Sequence, residues 1–333
     1  MIDGMYSGKT SQFLPLPCYN HAMNITIALD VGGTHMRAAV FPENENKPMR
    51  QTRIPTYKNG EASLDRLFAL IRDVTTEDDT IQGIGIAVPG PIDPQDGVIL
   101  TAPNLPEWVG VPISQRLEAE FGAPAHLGND ANLAAVGEWR YGAGRGHHNL
   151  IYLTISTGIG GGVICNDELL LGHQGLAGEL GHVTILPDGP VCSCGQRGHL
   201  EAIASGPGIA AYVSEKLKEG HTSTLSGNPD AKAISQAAKA GDPLAQSAFS
   251  RAGYFLGLGV ANYLMVFNPS IVIFGGGVSQ TGDLLLEPVR KVISQAVLSK
   301  HYLQDLEITR AALGDDAGLF GALALARSNL QSR

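Results

Sequence analysis

Twice along this chain a buried strand runs into a glycine-rich turn and out again along a second strand. Asn24–Leu29 leads through Asp30-Val31-Gly32-Gly33-Thr34 into Arg37–Phe41, and Leu150–Ile155 leads through Ser156-Thr157-Gly158-Ile159-Gly160-Gly161-Gly162 into Val163–Cys165. A device used twice within 333 residues, a length that accommodates two ordinary domains, predicts two related halves facing each other across a cleft. What surrounds each turn sets the class. Ser63–Val74 has helical spacing of Leu64, Leu67, Phe68 and Ile71, and Ile81–Val88 is an apolar strand ending at Pro89-Gly90-Pro91. Ile113–Phe121 is a predicted helix, Ala125–Leu127 a short strand, and Ala131–Trp139 a helix. After the second turn, helices dominate from Pro207 to Phe267 around a polar loop at Gly220–Asp230. Ile271–Phe274 is a buried strand ending in Gly275-Gly276-Gly277, and Asp315-Asp316 caps a final helix, Ala317–Ser328. Gly318 and Gly321 share one side of that helix, where another backbone can approach. Alternating strands and helices specify an α/β fold.

Composition narrows the function. The formal net charge is -9, which argues against nucleic acid or a membrane surface as partner. The longest apolar run, Phe255–Phe267, falls short of the roughly 18 residues of a membrane span and is broken by Gly257, Gly259 and Asn262. Residues 1–22 lack the basic start and apolar core of a signal peptide, so they read as a disordered extension before a strand that opens at Met23. Gly8-Lys9-Thr10 ends like a P-loop, but Asp3 stands where its first glycine belongs and no strand precedes it. Of the four cysteines, Cys18, Cys165, Cys192 and Cys194, the last two are too close for an ordinary structural disulfide. Metal ligation in a reducing, cytoplasmic compartment is the better reading.

The chemistry concentrates in three places. Glycine turns let backbone N–H groups close on phosphate oxygens, so Gly32, Gly33 and Thr34 on one side and Thr157 and Gly158 on the other form an expected two-sided phosphate clamp. Asp30, at the end of its strand, would organise Mg²⁺ through water, and Gly276 would let a nucleotide lie against backbone. Asn129-Asp130 follows a strand and opens a helix, which projects a carboxylate into a cleft at the sheet edge; a plain N-cap aspartate would have the same local sequence. Between Glu179 and Glu201 lie His182, Cys192, Cys194 and His199, two imidazoles and two thiols, the donor set of a tetrahedral zinc. With four protein ligands such a zinc does no chemistry itself; it fixes the loop that carries the glutamates.

These segments, in order, resemble one family. Asp30-Val-Gly-Gly-Thr-His, Gly-Asn129-Asp130-Ala-Asn, Ser-Thr157-Gly-Ile-Gly-Gly-Gly, Gly-Glu179-Leu-Gly-His182 and Cys192-Ser-Cys194-Gly-x-x-Gly-His199-Leu-Glu201 are similar to the signatures of the ROK family of sugar kinases and repressors. The resemblance runs from about Met23 to the C-terminus and looks strongest toward the bacterial ATP-dependent glucose kinases. It implies a two-lobed actin/hexokinase-like (ribonuclease H-like) fold, with residues 23–134 plus 317–333 as the small lobe and 135–316 as the large one. It further implies transfer of phosphate from ATP to the 6-hydroxyl of a hexose, expected to be D-glucose, with Asp130 as catalytic base. Asn104, Asn129, Asp130, Glu179, His182 and Glu201 would meet the sugar. ATP, Mg²⁺ and a structural Zn²⁺ are the implied cofactors, and a homodimer or homotetramer the implied assembly. The family's usual third cysteine is replaced here by His199; histidine is also a zinc ligand, so the site is still expected. An N-acetylglucosamine or N-acetylmannosamine kinase is the alternative enzyme. A sugar-responsive repressor of the family would carry a helix-turn-helix domain ahead of this region, and the 22 residues before Met23 are too few for one.

Overall fold

The computed structural model describes residues 23–58, 61–94, 96–102 and 104–331. Gly8-Lys9-Thr10, Cys18 and the rest of the expected N-terminal extension lie outside the described residues. Strands β1 (Met23–Val31), β2 (His35–Pro42) and β3 (Arg50–Pro55) precede helix α1 (Ser63–Val74) and strand β4 (Asp79–Val88). The two-residue strands β5 (Ile92–Asp93) and β6 (Val98–Ile99), helix α2 (Ile113–Phe121), strand β7 (Ala125–Asn129) and helix α3 (Asp130–Tyr141) follow. Next come β8 (Leu150–Ile155), β9 (Ile159–Cys165), β10 (Glu168–Leu169), α4 (Leu200–Ala204), α5 (Gly206–Lys218), α6 (Ala231–Lys239) and α7 (Pro243–Phe267). The chain finishes with β11 (Ile271–Gly275), α8 (Asp283–Ala296), β12 (Glu307–Arg310) and α9 (Ala317–Gln331).

Two five-stranded sheets carry the same topology. The first runs β3-β2-β1-β4-β7 and the second β10-β9-β8-β11-β12. In each, the first three strands pair antiparallel and the last two join parallel. One face of each sheet buries an ordinary core. Ile25, Ile27, Leu29, Ile84 and Ile86 pack with Leu67, Leu70, Ile71, Trp108 and Leu117 in the first half. Ile151, Leu153, Val272 and Phe274 pack with Val213, Phe249, Leu256 and Val289 in the second.

The opposite faces are covered by exchange. Helix α3 follows the last strand of the first sheet yet lays Ala134, Ala135 and Trp139 on Leu150, Tyr152, Ile164 and Ile273 of the second. Helix α9 follows the last strand of the second sheet yet lays Leu319, Ala322 and Leu323 on Ala28, Ala39, Phe41 and Ala87 of the first. Where the two helices cross, a Cβ at Gly137 would strike the Ala317 carbonyl and one at Gly321 would strike the Leu133 carbonyl. The close approach expected at Gly321 is therefore made by α3.

The structure also redistributes the second glycine run. Only Ser156, Thr157 and Gly158 sit in the turn, while Gly160, Gly161 and Gly162 lie inside β9. Cβ atoms there would come 2.8 Å from the Ala131 Cβ at Gly160, 2.8 Å from Leu180 at Gly161 and 2.5 Å from the Ala135 Cβ at Gly162. These glycines let α3 and the following loop rest directly on strand backbone. Asp315 and Asp316 form a short 3₁₀ turn rather than a side-chain cap for α9. Asp316 instead accepts a hydrogen bond from Arg37 at 2.8 Å. None of the described helices is long and apolar enough to cross a membrane.

Candidate active site

Both turns present unused backbone donors. In the first, the Gly32 N–H donates to the His35 carbonyl at 2.9 Å and the Thr56 hydroxyl donates to the Gly32 carbonyl at 2.6 Å. The N–H groups of Gly33 and Thr34 have no hydrogen-bond partner among the described residues. In the second, the Ser156 N–H donates to the Gly158 carbonyl at 2.9 Å, which tightens the turn and leaves the N–H groups of Thr157 and Gly158 free in the same sense. Adjacent free N–H groups in a tight turn form a nest for an anion. Each nest abuts a residue expected to bind sugar. A Cβ on Gly33 would lie 2.6 Å from the Asn104 Cβ, and one on Gly158 would lie 2.6 Å from Glu201 Oε2.

Asp130 is the first residue of α3. Asn129 supplies the cap, its side-chain oxygen accepting from the Asn132 N–H at 3.0 Å while its amide donates to the Gly90 carbonyl at 3.0 Å. Asp130 is thereby released from capping. Solvent reaches its side chain along the cleft, yet the surrounding protein crowds the carboxyl and pushes it up to about 6. The Ala131 N–H, 2.7 Å from Oδ1, pulls the other way, and the charges of Asp30 and Glu179 add to the rise. Those influences put three carboxylates around one space. Asp30 is neutralised in place by Arg37, whose Nε and Nη2 reach Oδ2 at 3.1 and 2.6 Å. Arg37 also donates to Asp316 and to the Asp315 carbonyl.

Glu201 is held from two directions. Oε2 accepts the Ile159 N–H at 3.0 Å and Oε1 accepts the Ser193 hydroxyl at 2.7 Å. Burial alone would raise its carboxyl, but these bonds, the Cys192 thiol and the nearby His182 leave it below the usual value. Between Glu179 and Glu201, donor atoms of His182, Cys192, Cys194 and His199 all lie within 4.8 Å of one another. His182 Nδ1 and His199 Nδ1 are 3.3 Å apart, and Cys192 Sγ is 3.6 Å from His182 Nδ1. Two nitrogens on a tetrahedral zinc stand about 3.3 Å apart and a nitrogen and a sulfur about 3.6 Å, given bonds of roughly 2.05 and 2.3 Å. The donor set and spacing fit the metal. Both imidazoles turn Nδ1 to the cluster, so His182 keeps Nε2 for another partner.

A cavity of about 640 Å³ lies beside the second turn, lined by Ser156, Thr157, Gly206, Lys232, Ser235, Gln236, Gly277 and Thr281 among others. Gly277 rather than Gly276 faces it. Gly276 has φ +78°, and a Cβ there would strike the Ile155 carbonyl, so its role is to turn the backbone. A second cavity, of about 390 Å³, joins Gly32, Gly33 and Thr34 to Asp30, Arg37 and Arg53. Sequence reasoning missed Lys232, Ser235 and Gln236, which sit on an ordinary amphipathic helix, and Ser193 and Arg37, which act through neighbours.

Comparison with known proteins points to one family. The ROK family model matches residues 26–329. A glucokinase of Thermotoga maritima is 36% identical over 310 residues, covering 91% of this chain and 98% of its own. A ROK glucokinase of Streptomyces griseus, solved with glucose and AMPPNP, superimposes with a TM-score of 0.76 at 34% identity, covering 91% of this chain and 99% of its own. A xylose repressor of Bacillus subtilis is 31% identical, covering 91% of this chain and 77% of its own. With a family match spanning nearly the whole sequence, and both glycine turns, the Asn129-Asp130 corner and the Cys/His loop drawn around one cleft, the chain belongs to the ROK family.

Proposed function

We propose that the protein transfers the γ-phosphoryl group of ATP to the 6-hydroxyl of a hexose, with D-glucose as the preferred acceptor. The observation that carries this reading is the placement of Asp130. It is an uncapped carboxylate in the open cleft, beside Asp30 and its phosphate nest and close to Glu179. Adenosine would occupy the 640 Å³ cavity. Its phosphates would reach the N–H groups of Thr157 and Gly158 and, across the cleft, those of Gly33 and Thr34. Mg²⁺ bound with the nucleotide would offset phosphate charge, with Asp30 as an anchor through water. Asn104, Asn129, Glu179, His182 Nε2 and Glu201 would hold the sugar hydroxyls.

In the reaction, Asp130 takes the proton of the attacking hydroxyl as that oxygen bonds to the γ-phosphorus and ADP departs. Phosphoryl transfer depends mainly on positioning and charge stabilisation. Glu201 therefore matters as much for being immobile as for being charged. Zinc held by His182, Cys192, Cys194 and His199 would fix the ring of His182 and the path of the loop. The two lobes would close over the substrates and exclude water. The unpaired thiols of Cys192 and Cys194 suit a cytoplasmic enzyme acting at the entry to glycolysis, working as a homodimer or homotetramer.

A coupled assay over glucose, mannose, N-acetylglucosamine and N-acetylmannosamine, with ATP or polyphosphate as donor, tests the proposal. The expected result is a kcat/KM for glucose with ATP at least about 10-fold above every other pair, the discrimination a few pocket contacts supply. Preference for an N-acetylhexosamine would reassign the acceptor. Absence of turnover on every sugar, combined with specific DNA binding, would replace the enzyme with a regulator.

A further inference from the structure

Glu138 is a carboxylate with no exposed surface, eight residues after Asp130 on α3. No cation faces it among the described residues. Its partners are three backbone N–H groups instead. Oε2 accepts from Ala143 at 2.8 Å and from Ala312 at 3.1 Å, and Oε1 accepts from Leu313 at 2.7 Å. A buried carboxylate without such donors would be strongly unfavourable. With them it forms hydrogen bonds about twice as strong as neutral ones. Gly142 is part of the arrangement, since a Cβ there would collide with the carboxylate.

The identity of the three donors is what distinguishes this residue. Ala143 opens the segment that carries the chain from α3 into the second sheet, and Ala312 and Leu313 belong to the segment that brings it back from β12 to α9. The link from the first sheet to the second, and the link from the second sheet to the helix that covers the first, are thus tied to one side chain. Each connection ends at a group in the cleft. Upstream on the same rigid helix, about 12 Å away at 1.5 Å per residue, is Asp130. Downstream of Leu313, Asp315 and Asp316 hold Arg37, Arg37 holds Asp30, and a Cβ added at Gly318 would lie 3.5 Å from Asp30 Oδ1.

We infer that Glu138 is a positioning residue that locks the two inter-lobe connections in one register and so sets the spacing between the Asp130 base and the Asp30–Arg37 phosphate side. This rests on the kinase reading above, because the spacing matters for in-line transfer between a sugar on one side and a phosphate on the other. A carboxylate that only filled space would affect folding. One that sets register affects how well the sugar hydroxyl, rather than water, reaches the γ-phosphorus.

Glu138→Gln keeps the shape but replaces one accepting oxygen with an amide donor, so at least one of the three bonds is lost. The experiment measures glucose phosphorylation and glucose-independent ATP hydrolysis on the same folded, full-length preparations of wild type, Glu138→Gln and Glu138→Asp. For Glu138→Gln, kcat should fall about 10- to 100-fold, by the scale of a misplacement in oriented transfer. The KM values for glucose and ATP should stay within about 3-fold, and hydrolysis per phosphorylation event should rise at least about 5-fold. Glu138→Asp retains the charge and should recover part of the coupling ratio; it also serves if the Gln variant fails to fold. A variant with lower stability but an unchanged coupling ratio and unchanged kcat per folded molecule would overturn the inference. Wild-type turnover is read first, on glucose and then on the other sugars of the panel, and the sugar that is turned over is used for the variants: inactivity on all of them refutes the kinase reading, whereas an active wild type with unaltered variants refutes the role of Glu138 alone.

Discussion

Asp130 shows how one residue joins stability to chemistry. Its folded carboxyl titrates at about 6, against about 3.9 in an unfolded chain. The folded state holds that proton more tightly, so the contribution favours folding below about pH 4 and is lost as pH rises through 6. The charged form needed by a base is therefore the less comfortable one. Asp130→Asn should lower kcat by roughly 10²–10⁴-fold while glucose binding, measured calorimetrically, persists. The same substitution should raise the thermal midpoint at pH 7.5, and near-normal turnover would remove Asp130 from the role. In the wild type, log kcat/KM should climb with pH and level off above about 6, as one ionisation of the free enzyme requires. This residue was legible because a strand-end Asn-Asp before a helix is a local signal. Its altered acidity was not, since the burial that dominates it and the smaller effects of Asp30 and Glu179 come from distant parts of the chain.

Asp242 behaves in the opposite sense, through an element rather than the cleft. It caps α7 through the Ala245 N–H at 2.9 Å and holds the 223–225 loop through the Thr224 N–H at 2.6 Å and two hydroxyls. Burial would raise its carboxyl, but these donors outweigh it and hold the value at about 2. Its stabilisation is present above about pH 4 and lost as pH falls toward 2. Asp242→Asn should flatten the acid limb of a stability-versus-pH curve in that window; an unchanged limb would assign it to other carboxylates. The α3–α9 crossing should be the least tolerant element contact. Gly321→Ala places a methyl against the Leu133 carbonyl and should cost about 1–3 kcal/mol, read by chemical denaturation. The loop from Leu180 to Glu201 should bind one zinc per chain. Cys192→Ser should release it and raise the glucose KM on the order of 10-fold, while a metal-free preparation with unchanged KM would refute that link.

Elements with strong periodicity were readable from sequence: Ser63–Val74 and Ile113–Phe121 form helices over those same residues. Edge strands β3 and β12 were not, because Arg50–Pro55 is mostly polar and Glu307–Arg310 is half exposed and only four residues long. Helix α8 also went unread, as it follows a glycine-rich 3₁₀ turn and contains Pro288. Lys232, Ser235 and Gln236 owe their place at the cavity to the packing of α6 beside Ser156 and Val278, a long-range fact that no local pattern encodes.

At the scale of the molecule, the duplicated turn foretold the duplicated sheet, and the strand orders agree position for position. The trade of helices was hidden, because a helix carries no mark of which sheet it will cover. Its consequence concerns assembly of the native state. Neither sheet can hide its second apolar face until the other has supplied a helix, so an isolated N-terminal half would expose Ala28, Ala39, Phe41 and Ala87 to water. Cutting the chain at the α3–α9 crossing would leave two sticky fragments rather than two working modules, and melting should proceed as a single event in which both halves let go together.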